Sequence, residues 1–250
     1  MIQVRIITLT PGKESVKNLL RQCQLLFPEE DVALFPGFDA RNISPKEMYR
    51  RGYVSLSALK TLLEGRKWHS EAPSAGAIGI HQSVLKALKL TPLVGLLLLE
   101  DDCVITDGEA LKRQVCTVTH ADVVACGVRY RKLDEKSLFT KVTEGEFMLM
   151  HCVYYTPRGR QKLAPLLEGP LSMQIDASIS WWAYMGYLDV LVCKGIARQR
   201  VHISSIQEAV GVCALCHVPP SGVPRGSMRP LLALLVLVTV VIVYQNNERR

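Results

Sequence analysis

Leu96-Leu97-Leu98-Leu99-Glu100-Asp101-Asp102 decides how this chain reads. Four consecutive leucines predict a strand covered on both faces, as in a mainly parallel sheet lying between helices. Three acids stand where that strand leaves its sheet. Side chains alternate along an extended segment, so Glu100 and Asp102 are expected on one side and Asp101 on the other. Adjacent carboxylates repel one another and are costly to bury unpaired. A hard divalent cation such as Mg²⁺ or Mn²⁺ removes both difficulties, because it takes oxygen ligands. In open α/β sheets, ligands bind beyond the carboxyl ends of the strands. A metal-bridged diphosphate therefore suits this position. The competing reading is a solvated acidic turn that closes a core strand.

Working outward, Val4 to Leu9 predicts a first strand, Ser15 to Phe27 a helix with apolar spacing, and Val32 to Phe35 a second strand. This β-α-β opening begins a doubly wound nucleotide-binding sheet. Further helices are expected over Ser55 to Leu63, Ile78 to Leu88, Glu109 to Val118, Arg160 to Leu167 with Pro157 at its entry, and Asp176 to Met185. Buried strands are expected over Ala121 to Val128, Glu146 to Tyr155 and Leu188 to Val192.

The 250 residues suffice for one large α/β domain, and a content of 48% hydrophobic and 21% charged residues describes a globular chain. The formal charge of +7 is scattered, with no basic block interleaved with aromatics, so a nucleic-acid partner is not expected. The eight cysteines sit mostly in apolar stretches, and the opening residues carry no signal-peptide pattern, so free thiols are expected. Cys213-Ala214-Leu215-Cys216-His217 matches a haem-attachment or half-zinc signature, with a plain loop as its alternative.

Composition divides the chain into a folded domain over 1–218, a Pro/Gly/Ser linker over 219–229, and an uncharged Leu/Val/Ile segment over 230–244. With Met228 and Arg229 included, the apolar stretch reaches the lower limit of about 17 residues for a bilayer crossing. It is expected to be a C-terminal transmembrane anchor that leaves the preceding domain facing the cytosol.

Several stretches, in order, resemble glycosyltransferase family 25, which includes lipo-oligosaccharide transferases and collagen galactosyltransferases. They are Phe38-Asp39-Ala40-Arg41, the Gly76 to Val84 stretch (GAIGIHQSV), and Leu99-Glu100-Asp101-Asp102. Tyr154 to Leu163, Ile175-Asp176, and Gln199 to Gln207 follow. The resemblance spans roughly residues 2 to 207. It departs from the family pattern at Ala77, Ile80, Val84 and Ser205, where the family has glutamate, cysteine, histidine and aspartate.

The resemblance implies a GT-A-like Rossmann-type mixed sheet flanked by helices, followed here by the apolar C-terminal helix. It implies an inverting hexosyltransferase that uses Mn²⁺ or Mg²⁺ and a UDP-sugar donor, with a hydroxyl acceptor on a glycan, glycolipid or protein. Asp102 would be the principal metal ligand, assisted by Glu100 and by His202 from the late segment. Asp101 would hold the nucleoside or a water beside the metal. Gly76 and Gly79 would admit the donor at a helix start, with Ser83 facing it. Tight helix packing and a buried serine are the plainer uses of these three. Asp176 would be the acceptor's base, or else a first-turn helix acid. Trp181 and Trp182 could shelve a sugar ring or simply pack in the core. The alternatives are a catalytically weakened binding protein on the same scaffold and a metal-dependent phosphoryl or nucleotidyl transferase.

Overall fold

The first strand, β1 (Ile2–Thr8), is buried along its whole length and is followed by α1 (Glu14–Leu26) and β2 (Asp31–Pro36). This computed structural model describes residues 2–63, 75–91, 93–130, 132–134, 136–145 and 147–200. Two short helices, α2 (Pro45–Arg50) and α3 (Leu56–Leu63), precede α4 (Ala75–Leu88) and β3 (Gly95–Glu100). Then come β4 (Cys103–Ile105), α5 (Gly108–Thr117), β5 (Val123–Ala125), β6 (Arg129–Tyr130) and β7 (Phe139–Lys141). The described chain closes with β8 (Phe147–Met148), β9 (Cys152–Tyr155), α6 (Pro157–Leu167), α7 (Ile175–Tyr184), β10 (Val190–Cys193) and β11 (Ala197–Gln199).

Seven strands form a mixed sheet in the order β2-β1-β3-β9-β5-β10-β7. β2, β1 and β3 run parallel. β9 enters antiparallel between β3 and β5, β10 is parallel to β5, and β7 is an antiparallel edge. Two small antiparallel ribbons, β4 with β11 and β6 with β8, stand apart from it.

The leucine strand explains why the sheet is a central layer. Leu97 and Leu99 enter one apolar cluster with Val16 and Leu19 of α1 and Leu111 of α5. Leu96 and Leu98 enter a second, with Val84 of α4, Leu163 of α6 and Ile179 of α7. All four are at most 4% exposed, so each stabilises the sheet by about 2 kcal/mol through the area it removes from water. A third cluster joins Met48 of α2, Ala58 and Leu59 of α3 and Ile78 of α4.

Helix starts follow local chemistry. Ser44, Asp107 and Thr156 each accept a backbone N–H from the first turn of α2, α5 and α6, and Pro157 opens α6 as expected.

The expected strand over Glu146 to Tyr155 requires correction. It is broken at Leu149, whose φ is 71°, a left-handed conformation unusual for leucine. Helix α7 supplies the cause. Asp176 Oδ2 accepts the Leu149 N–H at 3.2 Å and Ser180 Oγ accepts the Phe147 N–H at 3.1 Å. Phe147–Met148 is drawn to β6 as β8, while Cys152–Tyr155 enters the main sheet as β9. The strand expected over Ala121 to Val128 shortens to Val123–Ala125.

The linker, the apolar segment 230–244, His202 and the Cys213 to His217 motif all lie outside the described residues. Among the described residues, no helix is long and apolar enough to cross a membrane.

Candidate metal centre

β3 ends at Glu100, and the chain turns through Asp101 and Asp102 into β4. The expected alternation holds. Glu100 and Asp102 reach a common neighbour, whereas the Asp101 carboxylate accepts the Thr8 hydroxyl at 2.6 Å and ties the carboxyl ends of β1 and β3 together. The common neighbour is His151. Its Nδ1 lies 3.0 Å from Glu100 Oε2 and 3.3 Å from Asp102 Oδ1. Ligand atoms of Glu100, Asp102 and His151 all fall within 4.8 Å of one another.

Antiparallel pairing of β9 with β3 sets Cys152 opposite Leu99, so His151 arrives beside the acids. The Glu100 N–H donates to the His151 carbonyl at 2.9 Å, and the His151 N–H donates to the Gly127 carbonyl at 3.2 Å. Both histidine backbone groups are thus committed, and the ring is fixed with only 4% of its side chain exposed.

The late segment holds Asp102 from the other side. β11 pairs with β4, and Gln199 Nε2 donates to Asp102 Oδ2 at 3.0 Å. The Arg200 N–H donates to the Asp102 carbonyl at 2.7 Å. His202, the ligand expected from this late segment, lies outside the described residues, and Gln199 was not among the expected site residues.

Charges in the cluster shape one another. Burial disfavours the His151 imidazolium, but the Glu100 and Asp102 carboxylates outweigh it and push His151 up to about 10. Burial likewise opposes ionisation of Asp102, yet the neighbouring His151 imidazolium and the Gln199 hydrogen bond hold its carboxyl below the ordinary aspartate value.

Among the described residues, two buried polar atoms in the cluster, Asp102 Oδ1 and His151 Nε2, have no hydrogen-bond partner. Asp102 Oδ1 is within ion-pair distance of His151 Nδ1, but Glu100 is the nearer acceptor for that nitrogen. Orphaned buried polar groups are costly, and a cation beside His151 Nδ1 would accommodate Asp102 Oδ1. Two carboxylates and one imidazole fit a divalent ion that accepts both oxygen and nitrogen donors, Mn²⁺ better than Mg²⁺.

The other expected site residues have visible work in the fold. A Cβ on Gly79 would stand 2.6 Å from the Phe38 carbonyl oxygen, so the glycine lets α4 press on the Phe38 loop. Ser83 Oγ accepts the Phe38 N–H at 2.8 Å and donates to the Gly79 carbonyl at 2.7 Å. Two stretches that carry the family resemblance are therefore packed on each other. Gly76 is half-buried in the first turn of α4. Ala77 and Val84, where the chain departs from the family pattern, are both buried, and Val84 lies in the second core cluster.

Asp176 stands in the first turn of α7, where Oδ1 accepts the Ala177 N–H at 2.9 Å and Oδ2 the Leu149 N–H. It therefore props the segment that presents His151. Sequence reasoning missed His151 itself. The signal that could have found it is its place one residue before a buried strand, but nothing local gives the register.

No protein-family model matches the chain, and neither does any curated protein. Solved structures share its general layout at low identity. A UDP-glucose pyrophosphorylase from Acinetobacter baumanii is 14% identical with a TM-score of 0.47, covering 95% of this chain and 100% of its own. A galactosyltransferase LgtC bound to donor and acceptor sugar analogues is 11% identical with a TM-score of 0.42, covering 88% and 98%. A putative glucose-1-phosphate thymidylyltransferase from Bacillus anthracis is 12% identical with a TM-score of 0.41, covering 89% and 98%. Likenesses of this size assign no function.

Proposed function

We propose that the chain is a divalent-cation-dependent transferase of the glycosyltransferase family 25 kind, moving a hexose from a UDP-sugar to a hydroxyl on a glycan, glycolipid or protein. The observation that carries this reading is the convergence of Glu100, Asp102 and His151 at the carboxyl end of β3, with the buried Asp102 Oδ1 left without a hydrogen-bond partner among the described residues. That end of a strand is where open α/β sheets bind their ligands.

Glu100, Asp102 and His151 would hold the ion, with His202 as a further candidate. The bound ion would supply positive charge to a departing diphosphate. The chain's own groups do the positioning. Gln199 and the Arg200 N–H fix Asp102, while Thr8 fixes Asp101 at the rim, where it can meet the nucleoside. Gly76, Gly79 and Ser83 shape the start of α4 beside the donor. Asp176, in the first turn of α7, is assigned as the acceptor's base, the role the family resemblance gives it. The apolar segment 230–244 would tether the domain at a membrane that carries the acceptor.

The test is a screen of nucleotide sugars against the full chain in detergent, with Mn²⁺ and with chelator. Turnover of a UDP-hexose that needs Mn²⁺ and falls more than about 100-fold in Asp102→Asn is expected. Metal-independent turnover, or a variant as active as the parent, overturns the reading.

A further inference from the structure

Trp181 belongs to none of the three core clusters among the described residues, whereas its neighbour Trp182 packs against the second. Trp181 is half-buried and lines a cleft of about 160 Å³ where α7 meets α4 and the turn after α6. A large aromatic side chain outside the core, facing a concavity, is poorly explained by packing alone.

The lining defines the guest. Among the described residues it includes no aspartate, glutamate, lysine or arginine. Its one titratable group, His81, is 1% exposed, and burial pushes the imidazole down to about 4, so it is uncharged at neutral pH. A diphosphate or nucleotide finds no counter-charge among these residues. The lining brings together the indoles of Trp181 and Trp182, the hydroxyl-bearing Ser172 and Ser178, and His81. That pairing suits a neutral molecule with an apolar face and a hydroxylated rim, and a pyranose has both. The volume falls below the range of about 300 Å³ at which drug-sized pockets begin, so the cleft takes a single ring. Outside it, the Tyr184 ring lies 5.8 Å from that of Trp181 at a 33° tilt and is 57% exposed, which extends the aromatic surface for a second residue of a chain.

We propose that this cleft binds the terminal neutral sugar ring of a glycan, stacked on Trp181 and hydrogen-bonded by Ser178 and His81. Helix α7 joins it to the cation site: Ser178 stands two residues after Asp176, whose carboxylate holds Leu149, two residues before His151. Saccharide binding here is independent of the transferase reading; naming that saccharide the acceptor rests on it.

The test titrates the full chain with methyl β-D-galactopyranoside and methyl α-D-glucopyranoside, read by tryptophan fluorescence and by saturation-transfer NMR, with n-hexanol as an apolar control. Saturable binding of at least one glycoside is expected, with transfer strongest to the C–H protons of one ring face. Trp181→Ala should weaken it about tenfold or more, and since Trp181 is outside the core, the circular dichroism spectrum should not change. Asp102→Asn should keep it. Hexanol binding alone, no saturable response to either glycoside, or an unchanged response in Trp181→Ala overturns the proposal. Glycoside binding by a chain that binds neither Mn²⁺ nor UDP leaves the cleft standing and removes the transferase reading instead.

Discussion

His151 Nδ1 lies 3.0 Å from Glu100 Oε2, although 51 positions separate the two residues. Each has its backbone in the hydrogen bonds that join β9 to β3, so their approach is a property of the sheet. A proton or a metal ion can occupy the space between them, and the two compete.

That competition sets a pH dependence. The carboxylates hold the metal-free imidazole protonated up to about 10, so binding a cation expels a proton. Apparent Mn²⁺ affinity should rise by up to about tenfold per pH unit between pH 6 and 9. Calorimetry in buffers of different ionisation enthalpy should count close to one proton released at pH 7. The folded-state pKa is raised, so the stability this contact gives the metal-free chain is full below the ordinary histidine value of about 6.5. It is lost as pH climbs through about 10. The metal-free chain should therefore melt lower at pH 9.5 than at pH 6, and His151→Gln should flatten that difference.

Gln199 holds Asp102 from outside the ligand set. Gln199→Ala should leave the fold intact and weaken Mn²⁺ binding by about 10-fold to 100-fold, the usual cost of losing a group that orients a ligand. An isothermal titration at fixed pH measures it.

Arg160 is fully buried and, among the described residues, meets no carboxylate. Its five N–H groups donate to the carbonyls of Ala87, Leu88 and Val94 and to Gln3 Oε1, which caps the end of α4 beneath the sheet. Arg160→Met strands the buried Leu88 carbonyl and takes a donor from those of Val94 and of Ala87, which keeps the Leu90 N–H, and should cost about 2–4 kcal/mol in urea unfolding. Arg160→Lys should fall between, because an ammonium cannot reproduce the fork.

Gly79→Ala forces its methyl group against the Phe38 carbonyl, and the backbone must shift. A loss of about 1–3 kcal/mol in thermal unfolding is expected. Mn²⁺ affinity in this variant should match the parent, because the contact lies on α4 and not among the ligands.

The sequence showed much of this and missed one decisive piece. The leucine run announced a central strand, and the split of Leu96 and Leu98 from Leu97 and Leu99 into two clusters follows from simple alternation. The same alternation separated Asp101 from Glu100 and Asp102. His151 stayed hidden because its meaning depends on β9 entering antiparallel beside β3, and pairing over that distance leaves no local trace. The break at Leu149 was equally hidden. No glycine or proline marks it, and the groups that impose it, Asp176 and Ser180, belong to a helix that comes later in the chain. Strands of two or three residues, such as β4, β6 and β8, are shorter than any periodicity can reveal.

Titrating Mn²⁺ into the metal-stripped chain, with and without UDP, puts the shared grip of Glu100, Asp102 and His151 on one ion to direct trial. One ion per chain is expected, bound more tightly with UDP present and lost in each of Glu100→Gln, Asp102→Asn and His151→Ala. A parent chain that takes up no ion, or three variants that bind it as the parent does, would show that these side chains form only a buried ion pair.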